Sequence, residues 1–186
     1  MTRQETEMVD LGVGVRQSTL LDADNIVEEA VKQALAYCAQ KMGLGSGQAV
    51  REQLQRENIA ACKYCYYSIA RQVGDLLGTL DQNVEAVYIL DYDATPQDLC
   101  YTGDGQTTLI HLIVRVRRKT NALDSVVEVL NHALVRAYAK LLDRQRLEHL
   151  LDVQVVDGMD VAKRIGYGAM LSSLHNRPIQ VWERSS

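Results

Sequence analysis

Apolar positions recur at intervals of three and four through the first part of the chain. Ile26, Val27, Ala30, Val31, Ala34, Leu35, Cys38 and Met42 fall on one face of a helix. Asp22 or Asp24 supplies its N-cap, and Gly43 and Gly45 end it, leaving Ser46 to cap the next helical stretch. From Gly47 to Leu80 the same period runs through Val50, Leu54, Ala61, Cys65, Ile69, Val73 and Leu76, with Asn58 interrupting the stripe. The spacing predicts one helix of about nine turns, or two helices with a bend near Asn58. A helical stretch this long needs a packing partner, either the first helix or a second subunit. Residues 1–21 are polar apart from a small Leu11–Val15 alternation, and are read as a mobile lead-in or a short edge strand.

After Asp81 the period shortens. Val84–Leu90 is apolar on both sides apart from Glu85, the pattern of a strand covered on both faces. Residues 91–106 are rich in turn formers, with a short strand expected at Leu99–Thr102 before Gly103-Asp104-Gly105. Thr107–Arg118 alternates: Ile110, Leu112, Val114 and Val116 face the core, and Leu109, His111, Ile113, Arg115 and Arg117 make a mixed face that ends basic. Asn121–Leu142 is a helix, Leu150–Val156 a strand, Met159–Leu174 a helix containing Gly166 and Gly168, and Ile179–Glu183 a last strand. The predicted fold class is α+β. An N-terminal helical pair (22–80) precedes an α+β domain (81–186) with a small mixed sheet of four or five strands covered by helices.

Composition narrows the classes. In 186 residues there are nine Tyr and one Trp but no Phe, so the core must be aliphatic, and a base-stacking platform is short of rings. No stretch approaches the ~18 apolar residues of a membrane span. The N-terminus lacks the basic-then-apolar order of a signal peptide, so a cytoplasmic address is expected, with reduced cysteines. The net charge of −4 divides unevenly: residues 1–106 carry 8 basic against 16 acidic side chains, and residues 107–186 carry 12 against 8. Such halves attract each other within one chain or between copies.

Candidate chemistry is sparse. Cys62-Lys-Tyr-Cys65 lies within a helical stretch on its apolar side, where cysteines pack as small hydrophobes rather than act as a redox pair. Gly43-Leu-Gly-Ser-Gly47 follows a helix and lacks the Lys-Ser/Thr of a phosphate loop, so it reads as a connector. Asp91, Asp93, Asp98 and Asp104 give an oxygen-rich loop that suits turn capping or a divalent cation. Arg115, Arg117, Arg118 and Lys119 form a basic strand end, read first as a solvated end facing the acidic first half and second as a phosphate contact, while the acidic chain argues against nucleic acid. The histidines show no metal-pair spacing, and no serine-hydrolase elbow is present.

From the long helix through Val84–Leu90, Leu109–Val116, helix 121–142 and Leu151-Asp-Val-Gln-Val155 to the tail strand Ile179–Glu183, the order of elements resembles the minimal nucleotidyltransferase fold. Asp152 stands where that family carries its third carboxylate. Asp91-Tyr92 replaces the family's Gly-Ser, and Leu109-Ile110-His111 replaces its Asp-x-Asp. The resemblance therefore implies a fold that has lost its catalytic residues, since two-metal phosphoryl transfer needs several converging carboxylates.

Two functions from different classes fit these features. The first is a non-catalytic binding or regulatory module, without cofactor or membrane contact, that forms a homo-oligomer through its N-terminal helices. The alternative is a metal-dependent nucleotide enzyme, with Asp91, Asp93 and Asp152 holding Mg²⁺ and Arg115 and Arg117 on the phosphate.

Overall fold

A computed structural model describes residues 10–56, 58–90, 110–143, 149–175 and 177–185, with side chains from Ala23 onward. Helix α1 spans Asp10–Met42. It is already helical at Asp10, so it does not start at Asp22 or Asp24, and Leu11–Val15 is helical rather than an edge strand. Extending a helix from an existing turn costs far less than nucleating one, so a capping residue such as Asp22 or Asp24 need not start one. Gly43 in the left-handed region (φ 65°) ends it, and the Leu44 amide closes back on the Ala39 carbonyl at 2.8 Å.

The long helical stretch is two helices. In α2, Gly47–Gln55, the Ser46 side chain accepts from the Ala49 amide. In α3, Ile59–Leu80, the Asn58 side chain accepts from the Ala61 amide at 3.0 Å. Asn58 breaks the apolar stripe because its carboxamide competes for backbone donors, which makes it a cap rather than a helix interior residue.

Strand β1, Val84–Ile89, pairs antiparallel with β2, Ile110–Val116. Helix α4, Asn121–Leu142, then carries the chain back to β3, Leu151–Asp157, which lies parallel to β2. Two short helices come next, α5 (Gly158–Lys163) and α6 (Tyr167–Leu171), and β4 (Ile179–Glu183) closes the sheet antiparallel on the free edge of β1. The sheet is four-stranded and mixed, in the order β3-β2-β1-β4, and the fold is α+β as its periodicities predict. Among the described residues no helix is long and apolar enough to cross a membrane. Residues 1–9, the expected strand at Leu99–Thr102, and Asp91, Asp93, Asp98 and Asp104 lie outside the described residues.

One face of the sheet carries Val84, Val87, Ile89, Ile110, Leu112, Val114 and Val116 into the main core, with α1, α3 and α4 supplying the other wall. Cys38, Cys62 and Cys65 are buried there. Burial, followed by the neighbouring Cys38, pushes the Cys65 thiol well above its ordinary range, so it packs as an apolar group. The opposite face carries a smaller cluster, Ala86, Tyr88, Leu90, Ile113 and Val156, beneath Val161, Tyr167, Met170 and Leu171 of the α5–α6 segment.

The expected single helix at Met159–Leu174 is broken. Arg164 adopts φ 55° and Gly166 φ 51°, which reverses the chain between α5 and α6. A side chain at Gly168 would place its Cβ 2.5 Å from the Asp160 carbonyl carbon, so the two backbones touch there. Helical spacing of apolar residues could not reveal this, because α5 and α6 bury one face between them across the break. Gly168→Ala is expected to destabilise the protein by about 1–3 kcal/mol, as overpacked sites do, and urea unfolding measures it.

β4 is anchored by its aromatic residue. A Cβ added at Gly74 would sit 2.6 Å from the Cβ of Trp182, and one at Gly78 would meet the indole ring. The Arg184 guanidinium lies 5.5 Å from the Trp182 ring. It also donates to the carbonyls of Val84 at 2.9 Å, Gly78 at 2.7 Å and Asp81 at 3.1 Å. Of these, the Gly78 carbonyl lies in the last turn of α3, where helix carbonyls lack an intrahelical partner.

Candidate functional site

The polar side chains with chemical potential gather on the sheet face that α5 and α6 cover only in part. Parallel register places His111 of β2 directly beside Asp152 of β3. His111 Nδ1 lies 2.8 Å from Asp152 Oδ2, and Gln154 Nε2 donates to Asp152 Oδ1 at 3.0 Å. Both members of the His–Asp pair are about one-third exposed (34% and 32%), at the rim of the small cluster. An ionised Asp152 is acceptor-only, so Nδ1 carries the proton in this pair. The carboxylate thereby orients the imidazole.

Four residues along β2, Arg115 Nε donates to Glu85 Oε2 at 3.2 Å, and Arg117 Nε lies 3.6 Å from Glu85 Oε1. Glu85 occupies the irregularity in β1 between Val84 and Ala86, which turns its side chain toward the basic end of β2. At ~3.3 Å per residue, Arg115 stands about 13 Å along the strand from His111 and Asp152. The structure therefore separates Asp152 from Arg115 and Arg117, and both of its carboxylate oxygens accept from neighbouring side chains. Asp91 and Asp93 lie outside the described residues. Among the described residues there is no group of three or more His, Cys, Asp and Glu side chains placed to hold a metal ion.

Beyond β2, the Arg117 amide donates to the Asn83 carbonyl at 2.9 Å, and the Arg118 amide donates to Asn83 Oδ1 at 3.0 Å. Asn83 Nδ2 returns a bond to the Arg118 carbonyl. Lys119 Nζ reaches Asp160 Oδ2 at 2.6 Å, which ties this segment to α5. Asp157 caps α5 through the amides of Met159 and Asp160, while Asp160 accepts from the Asp157 amide in return. The Lys119 hydrogen bond first, and the Asp157 amide second, hold the Asp160 carboxyl below its ordinary range. A depressed carboxyl stabilises the fold above its unfolded pKa, and that contribution is lost as pH falls through the folded value. The window is therefore acidic, below about pH 4. Asp160→Asn is expected to flatten the fall in thermal midpoint between neutral and acid pH, and thermal unfolding across that range checks it.

A second candidate lies between α1 and α3. An open groove of about 430 Å³ is lined by Asn25, Ile26, Glu29, Ala30, Gln72 and Leu76 among others. Ile26 is 46% exposed at its edge while Ala30 is buried. The acidic front and basic rear of the chain meet nearby within one molecule. Arg136 of α4 bonds Asp24 of α1, and Lys140 Nζ reaches Glu28 Oε1 at 2.9 Å. Such exposed pairs add little stability each.

Sequence reasoning singled out Asp152, Arg115 and Arg117 but not their partners. His111 and Asp152 are 41 residues apart, and Arg115 and Glu85 are 30 apart. Only strand register brings them together, and no local motif encodes register. Compared with protein-family models, curated proteins and solved structures, the chain matches none of the three.

Proposed function

We propose that the protein is a binding or regulatory module that acts by association, pairing with a second copy of itself through α1 and α3. The observation that carries this is the α1–α3 groove, with its apolar floor at Ala30 and Leu76, half-exposed Ile26, and polar rim at Asn25, Glu29 and Gln72. An apolar centre ringed by polar groups is the anatomy of a protein interface. Ala30 is small, so a second helix can approach its backbone closely. An isologous contact across this surface uses the same residues on both copies and closes at two.

The charged groups around Asp152 and at the basic end of β2 are engaged with one another. His111 and Gln154 occupy the Asp152 oxygens, and Glu85 engages both arginines. Sedimentation velocity of the full chain over a concentration series tests the reading, with Ile26→Glu as the variant. The wild type is expected to reach a dimer. The variant is expected to stay monomeric with an unchanged thermal midpoint, because Ile26 is already half in water. A wild type that remains monomeric at the highest attainable concentration overturns the proposal.

A further inference from the structure

The parallel pairing of β2 and β3 continues to Val116 and Asp157, so the carboxyl ends of the two strands lie side by side. In sheets built from parallel strands joined by helices, ligands dock beyond those carboxyl ends. Here that end is basic. Arg115, Arg117, Arg118 and Lys119 leave β2, and Lys163 and Arg164 end the helix that leaves β3, against Glu85, Asp157 and Asp160. With Asp81, whose Oδ1 accepts from the Asn83 amide, and Arg184, which donates to the Asp81 carbonyl, seven cations stand against four carboxylates on a chain whose net charge is −4.

The backbone that carries Arg117 and Arg118 is held in place, and so is the Lys119 side chain. Asn83 bonds the backbone of Arg117 and Arg118 on both sides, and the Lys119–Asp160 pair locks the β2 exit to α5. Arg117 is 64% exposed, and Arg118, Lys163 and Arg164 are exposed as well. The salt bridges of the described residues give Arg118, Lys163 and Arg164 no carboxylate. Arg164 is held at φ 55° and ψ 46°, a conformation that glycine adopts freely and that costs an L-residue with a long side chain. That conformation closes α5 through the Arg164 amide, and the exposed guanidinium makes no ion pair among the described residues.

We propose that this carboxyl-end cluster binds a compact anion carrying several phosphate groups, such as a free polyphosphate chain, a site separate from the self-association surface. Arg118 and Arg164 supply planar donor forks for phosphate oxygens, and Lys163 supplies a point charge. A compact anion fits better than a nucleic acid strand. None of these side chains is aromatic, so the cluster offers no aromatic platform for bases. A long polyanion also extends beyond the ~8 Å screening length into the field of an acidic protein, whereas a short one stays within the basic cluster.

The test is titration of the full-length protein with inorganic tripolyphosphate at low and at physiological salt, monitored by calorimetry and thermal unfolding. Saturable binding that weakens with salt is expected. Arg164→Gly is expected to raise the thermal midpoint of the free protein by about 2–4 °C by relieving the left-handed arginine. It should also weaken tripolyphosphate binding about tenfold through loss of one charge-assisted contact. Lys163→Gln is expected to weaken binding without the gain in midpoint, and Lys32→Gln, on the exposed side of α1, to leave binding unchanged. Absence of saturable binding at low salt overturns the proposal, as does equal binding by the Arg164, Lys163 and Lys32 variants. Preferential binding of a duplex oligonucleotide at equal phosphate concentration overturns it in favour of nucleic acid. Binding confined to vesicles containing anionic phospholipid overturns it in favour of a membrane surface, to which exposed Met159 and Ile165 would add apolar contact.

Discussion

Replacing Asn131 with alanine is expected to lower the unfolding free energy by about 2–5 kcal/mol, the cost of leaving two buried donors without an acceptor. Asn131 is a buried polar side chain on α4, only 7% exposed. Its Oδ1 accepts from the amides of Leu150 and Leu151 at 3.1 and 2.9 Å, and its Nδ2 lies 3.1 Å from His149 Nδ1. The Leu150 carbonyl in turn accepts from the Ile110 amide at 2.8 Å, the first link in the pairing of β2 with β3. One carboxamide therefore fixes where α4 hands the chain to β3. Alanine removes the acceptor and offers the two amides no water, because Leu150 and Leu151 are both buried. Asn131→Asp keeps an acceptor oxygen and is expected to lose less than alanine. Urea unfolding with an unchanged m-value measures the difference, and a loss below about 1 kcal/mol for alanine would show that the strand amides find other acceptors.

The second large effect is expected at Gly74. Alanine at an exposed helix position ordinarily gains about 1 kcal/mol over glycine. Here the added methyl meets the Cβ of Trp182 at 2.6 Å and its Cγ at 3.2 Å. A Cβ is fixed to its own backbone, so no side-chain rotation relieves the clash. Either β4 moves off β1 or α3 moves off the sheet. The helix-propensity gain is smaller than the cost of displacing a strand, and Gly74→Ala is expected to destabilise by about 1–3 kcal/mol. Trp182 is the protein's one tryptophan, so its emission reports the displacement directly. A red shift in the native spectrum together with an earlier unfolding midpoint is expected. An unchanged spectrum with raised stability would mean that β4 is not held against α3 in solution.

Gly78 and Arg184 complete this clamp. Arg184 covers one side of the indole while donating to three carbonyls near the end of α3. Nothing in the spacing of Gly74 and Gly78 announces a tryptophan more than a hundred residues later. Two glycines four apart on a helix leave a flat strip, and what fills it depends on which strand arrives there.

The periodicities of this chain determined its helices and strands wherever a side-chain face is buried along one element. The period of α4 is continuous because one stripe packs on the core over its whole length, and the alternation of β2 is clean because each face meets a different layer. Gly43 and Ser46 were legible for the same reason, since caps and left-handed turns are satisfied by residues next to them in sequence, whereas the pattern around Asn58 fitted one bent stretch as well as two capped helices. The tertiary structure alone decided the rest. The break between α5 and α6 depends on two backbones touching at Gly168. The His111–Asp152 pair, the hold of Glu85 on Arg115 and Arg117, and the place of Asn131 between α4 and β3 all depend on register and crossover. Those are properties of pairs of segments, and a hydrogen bond between strands carries no mark in either strand's own sequence.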